Sequence, residues 1–178
     1  NDGLMTRTFA ANGSFIFEFS DQAGNTNTET AAVDYIDKEA PTYTIVYAPD
    51  APTYQDVAAT ITLSDGEITS AGGSTHIFTE NGTFTFLFTD TVGNTESAEA
   101  AVDWIDRTAP VATVTYSVLA PTNQDVIATL EPSETVTITN NDGLATRSFT
   151  ENDSFTFAFR DLAGNTGTVT ATVDNIDK

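Results

Sequence analysis

Apolar residues alternate with polar or small ones along most of this chain. Phe155-Thr156-Phe157-Ala158-Phe159 and Val169-Thr170-Ala171-Thr172-Val173 follow a period of two. So do Val57, Ala59, Ile61 and Leu63, the set Val126, Ala128 and Leu130, and Thr135-Val136-Thr137-Ile138-Thr139. Such a period places alternate side chains on opposite faces of an extended strand. Threonine fills most of the outward positions, which suits a pleated sheet with one wet face. Turn signals interrupt the runs: Asn12-Gly13, Asn81-Gly82, Asn141-Asp142-Gly143 and a recurring Asp-x-x-Gly-Asn. Asn and Gly accept the left-handed backbone that tight turns need. No stretch carries the 3.6-residue period of an ordinary helix, so the chain is expected to be all-β and antiparallel.

The pattern itself repeats. Phe15, Phe17 and Phe19 recur as Phe84, Phe86 and Phe88 and again as Phe155, Phe157 and Phe159, at offsets of 69 and 71 residues. The same offsets carry Asp21-x-x-Gly24-Asn25 onto Asp90-x-x-Gly93-Asn94 and Asp161-x-x-Gly164-Asn165. They also carry Asp34-Tyr35-Ile36-Asp37 onto Asp103-Trp104-Ile105-Asp106 and Asp174-Asn175-Ile176-Asp177. Ala40-Pro41 and Ala109-Pro110 follow two of these motifs, and proline there cannot continue a ladder. They mark the junctions of an incomplete unit, 1–38, and two whole units, 39–107 and 108–178. Six or seven short strands in about 70 residues predict a small antiparallel β-sandwich for each whole unit, with its phenylalanine triplet buried at the core. Residues 1–38 match 141–178, with the Asn1-Leu4 turn on Asn141-Leu144. They are expected to supply strands near 5–9, 14–19 and 28–33 only. Alone, Phe15, Phe17 and Phe19 would then face water.

Taken together, Pro121-Thr122-Asn123-Gln124-Asp125-Val126, Phe-x-Phe-x-Phe, Asp-x-Ala-Gly-Asn-Thr and Asp-x-Ile-Asp-Lys resemble tandem bacterial immunoglobulin-like domains. The resemblance covers the whole chain. Domains of this kind occur as strings in surface adhesins, in S-layer-associated proteins and in modular secreted enzymes. The resemblance therefore implies an extracellular location, at a bacterial cell surface or secreted. It identifies a module that serves as spacer, stalk or accessory domain.

Charge narrows the function. With 26 acidic and 6 basic residues the net charge is −20, which repels a phosphate backbone and excludes nucleic-acid binding. No apolar run reaches the roughly 18 residues that would cross a bilayer. The absence of cysteine excludes disulfides and thiolate metal sites, and a lone histidine, His76, leaves little room for triad or multi-histidine chemistry. His76 is expected in a surface loop, with no counterpart in the last repeat. Acids that recur at repeat positions indicate repeated structure, so no enzyme is expected.

The repeated acids raise a metal question. Asp21, Asp90 and Asp161 sit in the Asp-x-x-Gly-Asn loops, and Asp34, Asp37, Asp103, Asp106, Asp174 and Asp177 form the terminal pairs. Carboxylates gathered at domain junctions would suit calcium, a hard cation taking six to eight oxygens. Similar surface domains use junction aspartates in this way. The loop aspartates would equally serve to close their own turns. Tyr35, Trp104 and Asn175 stand between the paired aspartates. Aromatics there would stack on a sugar or pack against the next domain, and packing is the expectation. Asn12, Asn81 and Asn152 each open an Asn-x-Ser/Thr sequence at one hairpin position, where a turn is expected rather than a glycan.

Two functions are open at this point. One is a non-catalytic structural section of an extracellular bacterial surface protein. The other is a polysaccharide-binding accessory module of a secreted enzyme or adhesin. Partners would be neighbouring copies of the repeat, completing the half unit by strand complementation, or a surface polysaccharide; an upstream segment of the same polypeptide or a strand swap with another copy would complete the half unit equally.

Overall fold

The computed structural model describes residues 5–178 and is all-β. Fourteen strands follow in order: β1 (Gly13–Ser20), β2 (Thr26–Val33), β3 (Tyr43–Ala48), β4 (Val57–Leu63), β5 (Glu67–Ile68), β6 (Thr75–Phe78) and β7 (Gly82–Thr89). β8 (Thr95–Val102), β9 (Ala112–Tyr116), β10 (Val126–Pro132), β11 (Thr137–Ile138), β12 (Thr146–Phe149), β13 (Asp153–Arg160) and β14 (Thr166–Val173) complete them. Among the described residues the one helical element is a 3-10 turn at Asn141–Gly143. Its Asn141 and Asp142 take positive φ angles of 52° and 54°, the conformation Asn and Asp tolerate best after glycine.

The strands form small antiparallel sheets in a recurring order. In 39–107 one sheet runs β3-β4-β6 and a second β5-β7-β8; in 108–178 the orders are β9-β10-β12 and β11-β13-β14. Each pair of sheets shares one apolar cluster. Val57, Ala59, Ile61 and Phe78 meet Phe86, Phe88, Ala98, Ala100 and Val102. Val126, Ala128, Leu130 and Phe149 meet Phe157, Phe159, Ala171 and Val173. This arrangement is consistent with a β-sandwich. The alternation read from the sequence appears directly in the burial: Val57, Ala59 and Ile61 on β4 are buried while Thr62 is exposed.

Two expectations need correction. Phe84 and Phe155 are only partly buried, unlike the other two rings of each triplet. Near the start of its strand each meets a polar side chain of the opposing sheet, His76 on β6 or Arg147 on β12, in place of an apolar one. Residues 5–9 form no strand, and 1–4 lie outside the described residues, so the predicted Asn1-Leu4 turn falls outside them too. The first segment is a two-stranded hairpin, β1 with β2. Phe88 and Phe159 are 1% exposed, whereas the equivalent Phe19 is 53% exposed. Among the described residues no second sheet faces β1 and β2.

Candidate functional site

Three recurring devices gather at the ends of the sheets. The first is the Asp-x-x-Gly-Asn loop. Asp90 Oδ1 accepts the backbone N–H groups of Val92, Gly93 and Asn94 at 2.9, 2.7 and 2.8 Å, and its Oδ2 accepts Asn94 Nδ2 at 2.7 Å. Asp161 repeats this with Gly164, Asn165 and the Asn165 amide, and Asp21 with Ala23, Asn25 and the Asn25 amide. The glycine is required, since Gly24, Gly93 and Gly164 have φ between 87° and 100°. Burial opposes the charged form of Asp90 and Asp161, yet the amide and backbone donors outweigh it and hold both carboxyls below the usual aspartate range. Asp21 is lowered as well, chiefly by the Asn25 side chain. The loop carboxylates thus close their own turns.

The second device is a side-chain clamp. Asn81 Oδ1 accepts the Ile105 N–H at 2.8 Å while its Nδ2 donates to the Ile105 carbonyl at 2.9 Å. Asn152 does the same to Ile176 and Asn12 to Ile36. With both amide atoms bonded to one distant residue, these asparagines act as structural ties. Sequence alone saw the turn but not this partner, 24 residues away.

The third device tethers the Asp-x-Ile-Asp segment. Thr53 forms a parallel bridge with Ile105, its N–H donating to Trp104 O at 3.1 Å and its carbonyl accepting the Asp106 N–H at 2.9 Å. Thr122 and Ile176 form the same bridge, through Asn175 O and the Asp177 N–H. The following base closes it: Arg107 reaches Asp56 at 2.5 Å and Lys178 reaches Asp125 at 2.6 Å. In the two whole segments the middle residue of the motif packs within its own segment, not against the next one as expected. Trp104 lies edge-on to Tyr47, and its Nε1 donates to Pro49 O. Asn175 sends its amide to the matching Val118 and Ala120 carbonyls. Tyr35 is 78% exposed.

Where 39–107 meets 108–178, Asn165 Nδ2 donates to Asp106 O at 2.9 Å. A Cβ on Gly164 would lie 3.2 Å from two ring carbons of Tyr54, so that ring sits against the glycine. Glu134, unsuspected from sequence, here joins Asp106 and Asp161 with carboxylate oxygens within 4.8 Å of one another. Among the described residues no such grouping includes Asp34, Asp37, Asp103, Asp174 or Asp177. Asp37 and Asp106 each cap the N–H two residues on, in Glu39 and Thr108.

His76 is on β6 and not in a loop, and it does have counterparts. Its ring stacks on Phe84 at 3.8 Å and 10°. Arg147 lies over Phe155 at 4.8 Å and Arg7 over Phe15 at 4.9 Å, at the equivalent positions. A different residue type hid this equivalence from motif reading. Among the described residues no helix is long and apolar enough to cross a membrane. Comparison with known protein families and with characterised proteins finds no match to this chain.

Proposed function

We propose that this chain is a non-catalytic structural section, a stalk or spacer of tandem immunoglobulin-like β-sandwiches, in an extracellular bacterial surface protein. The observation that carries the reading is the joint at Asp106. The Gly164-Asn165 turn holds the linker carbonyl and seats the Tyr54 ring, so successive segments meet through specific contacts and not through a slack tether. The same loop in 39–107 ties back to its own linker, Asn94 Nδ2 donating to Glu39 O. A device that recurs at each linker suits a part whose task is to hold spacing. The polysaccharide alternative would need exposed coplanar aromatics. Trp104 lies edge-on to Tyr47, and Asn175 takes its place in the last segment.

Small-angle scattering tests the reading. A stalk gives an extended particle, and Tyr54→Ala combined with Asn165→Ala broadens its distance distribution. An unchanged distribution, or saturable binding of a surface polysaccharide by the intact chain that Trp104→Ala abolishes, would replace this reading with the binding module.

Calcium is the remaining part of the proposal, narrowed to the Asp106, Glu134 and Asp161 joint. Three carboxylates fall short of the six to eight oxygens calcium takes, and the oxygens of Asp161 are already engaged. A melting temperature raised by calcium and restored by chelator supports the ion. Equal melting temperatures under the two conditions remove it.

A further inference from the structure

The clamp asparagines differ in the residue that follows them. Asn81 precedes Gly82 and Asn12 precedes Gly13, whereas Asn152, in the same clamp, precedes Asp153. The fold explains each asparagine but not the two glycines. Gly82 opens β7 opposite Val102 and Gly13 opens β1 opposite Val33, as Asp153 opens β13 opposite Val173. None of Asn12, Gly13, Asn81 and Gly82 takes the positive φ that would favour Asn-Gly at a bend. A Cβ placed on Gly82 or Gly13 would meet nothing within 4 Å. Asp153 fills the same position with a larger side chain, and its strand keeps the same register. Glycine in a strand costs stability relative to a residue with a side chain. Its use here points to chemistry and not to packing.

Asn followed by Gly is prone to cyclise on itself, because no Cβ shields the second residue's backbone nitrogen. The Gly82 nitrogen would attack Cγ of Asn81. An N–Cγ bond forms, the Cγ–Nδ2 bond breaks, and Nδ2 leaves as ammonia with the Gly82 N–H proton. Water then opens the cyclic imide at one of its two carbonyls, leaving aspartate or isoaspartate. Nothing is oxidised or reduced, and water is the sole co-reactant. In the closed clamp the attack is blocked. Ile105 holds both amide atoms of Asn81, Oδ1 at 2.8 Å and Nδ2 at 2.9 Å. Ile105 is itself buried, and Thr53 fixes its flanks through Trp104 O and the Asp106 N–H. Asn81 is therefore released only when the Asp103-to-Asp106 segment lifts away.

We propose that Asn81-Gly82 is a self-modification site, held shut by the clamp and deamidating with water when the Asp103-to-Asp106 segment opens. The product cannot close the clamp again. A carboxylate accepts hydrogen bonds and donates none. One of its oxygens would face the Ile105 carbonyl, acceptor against acceptor. The new charge also adjoins Asp103 and Asp106, in a chain whose net charge is already −20. The bond from the Asp106 N–H to Thr53 O is then left to hold the segment without the clamp. Openings thus accumulate as a one-way loosening at the end of 39–107, where the chain passes into 108–178. Asn152 makes the same clamp in a form that resists this ageing. The inference stands apart from the stalk reading, because any role that opens this end exposes the same pair.

The test incubates the full chain at mildly alkaline pH, native and in guanidinium chloride. Peptide mapping that separates asparagine, aspartate and isoaspartate follows Asn81 and Asn152. In denaturant Asn81 should convert well ahead of Asn152. In the native chain Asn81 should convert at least about tenfold more slowly than in denaturant, since only the opened fraction reacts. Gly82→Ser should slow Asn81 in denaturant to the pace of Asn152. It should also leave the melting temperature of 39–107, read from Trp104 fluorescence, at or above the parent's. Asn81→Asp supplies one product directly. Amide exchange at Asp106 should then speed up, while Asp177, in the matching bridge to Thr122, keeps its parent rate. Chain aged in native buffer and enriched by ion exchange gives the same readout if Asn81→Asp does not fold. Equal conversion of Asn81 and Asn152 in denaturant, or equal conversion of Asn81 in the native and unfolded chains, overturns the inference. So does a melting temperature lowered by Gly82→Ser, or parent exchange at Asp106 after conversion.

Discussion

At the scale of single residues, the stability of each segment rests on side chains that answer backbone groups. Asp90 is the clearest. Its folded carboxyl is held below the ordinary aspartate value of about 3.9 by the Asn94 side chain and three backbone donors, against the opposing effect of burial. A depressed folded value means the contribution is fully present above the unfolded value and fades as pH falls through the folded one. Denaturant unfolding of 39–107, followed by the fluorescence of its one tryptophan, should therefore lose stability below about pH 4. Asp90→Asn should be less stable at neutral pH and flatter across that acid window; a variant with the parent's pH profile would refute the assignment. The asparagine clamps give a second expectation. Asn152→Ala leaves the N–H and carbonyl of buried Ile176 without their partner, which should cost about 1–3 kcal/mol in the unfolding of 108–178.

At the scale of elements, the face a side chain takes matters less than whether a second sheet lies over it. Phe86 is fully buried between β4 and its own sheet, so Phe86→Ala should destabilise 39–107 by about 3–5 kcal/mol. Phe17 occupies the same position on β1 but lacks that cover among the described residues. Phe17→Ala should leave the tryptophan-detected transition within about 0.5 kcal/mol of the parent. Gly167 is the opposite case, a residue that alternation alone marks as replaceable. A Cβ there would lie 2.3 Å from the Pro110 carbonyl oxygen and 2.5 Å from the Phe159 ring. Gly167→Ala should thus lower the melting temperature of 108–178, reversing the gain that Gly→Ala commonly brings in a strand. Tyr47 and Tyr116 show the sheets tied to each other, since each hydroxyl accepts a backbone N–H from the opposing sheet, at Ala101 and Thr172.

At the scale of the whole molecule, the repeat is regular in its ties and unequal in its cover. The first hairpin carries the loop, the clamp and the motif, yet its apolar face is open. Limited proteolysis should cut within 5–38 well before it cuts β7, β8, β13 or β14, because local opening governs cleavage. Cleavage that starts instead in 39–178 would contradict the unequal cover. The net charge of −20 adds mutual repulsion between segments. Added salt screens that repulsion and should compact the particle in solution scattering. Unchanged dimensions between low and high salt would show that the joint contacts alone set the spacing.

Much of this was legible from residue order, because strands declare themselves locally. Alternation placed the faces of β4, β10, β13 and β14, the Asn-Gly and Asp-x-x-Gly-Asn signals placed turns, and offsets of 69 and 71 residues exposed the repeat. These depend on near neighbours and on self-similarity, which need no knowledge of partners. The loop aspartates were visible as turn-formers for the same reason. What the tertiary structure decided are contacts between residues far apart in the chain. The Asn81 clamp on Ile105, the Thr53 bridge, the seat of Trp104 beside Tyr47 and Pro49, the Tyr54 ring on Gly164 and the approach of Glu134 to Asp106 leave no local periodicity. His76 and Arg147 differ in type, and only a shared position over a phenylalanine makes them equivalent. Local chemistry selects strand, face and turn, whereas closure of the chain in space selects which distant donor, ring or carboxylate each of them meets.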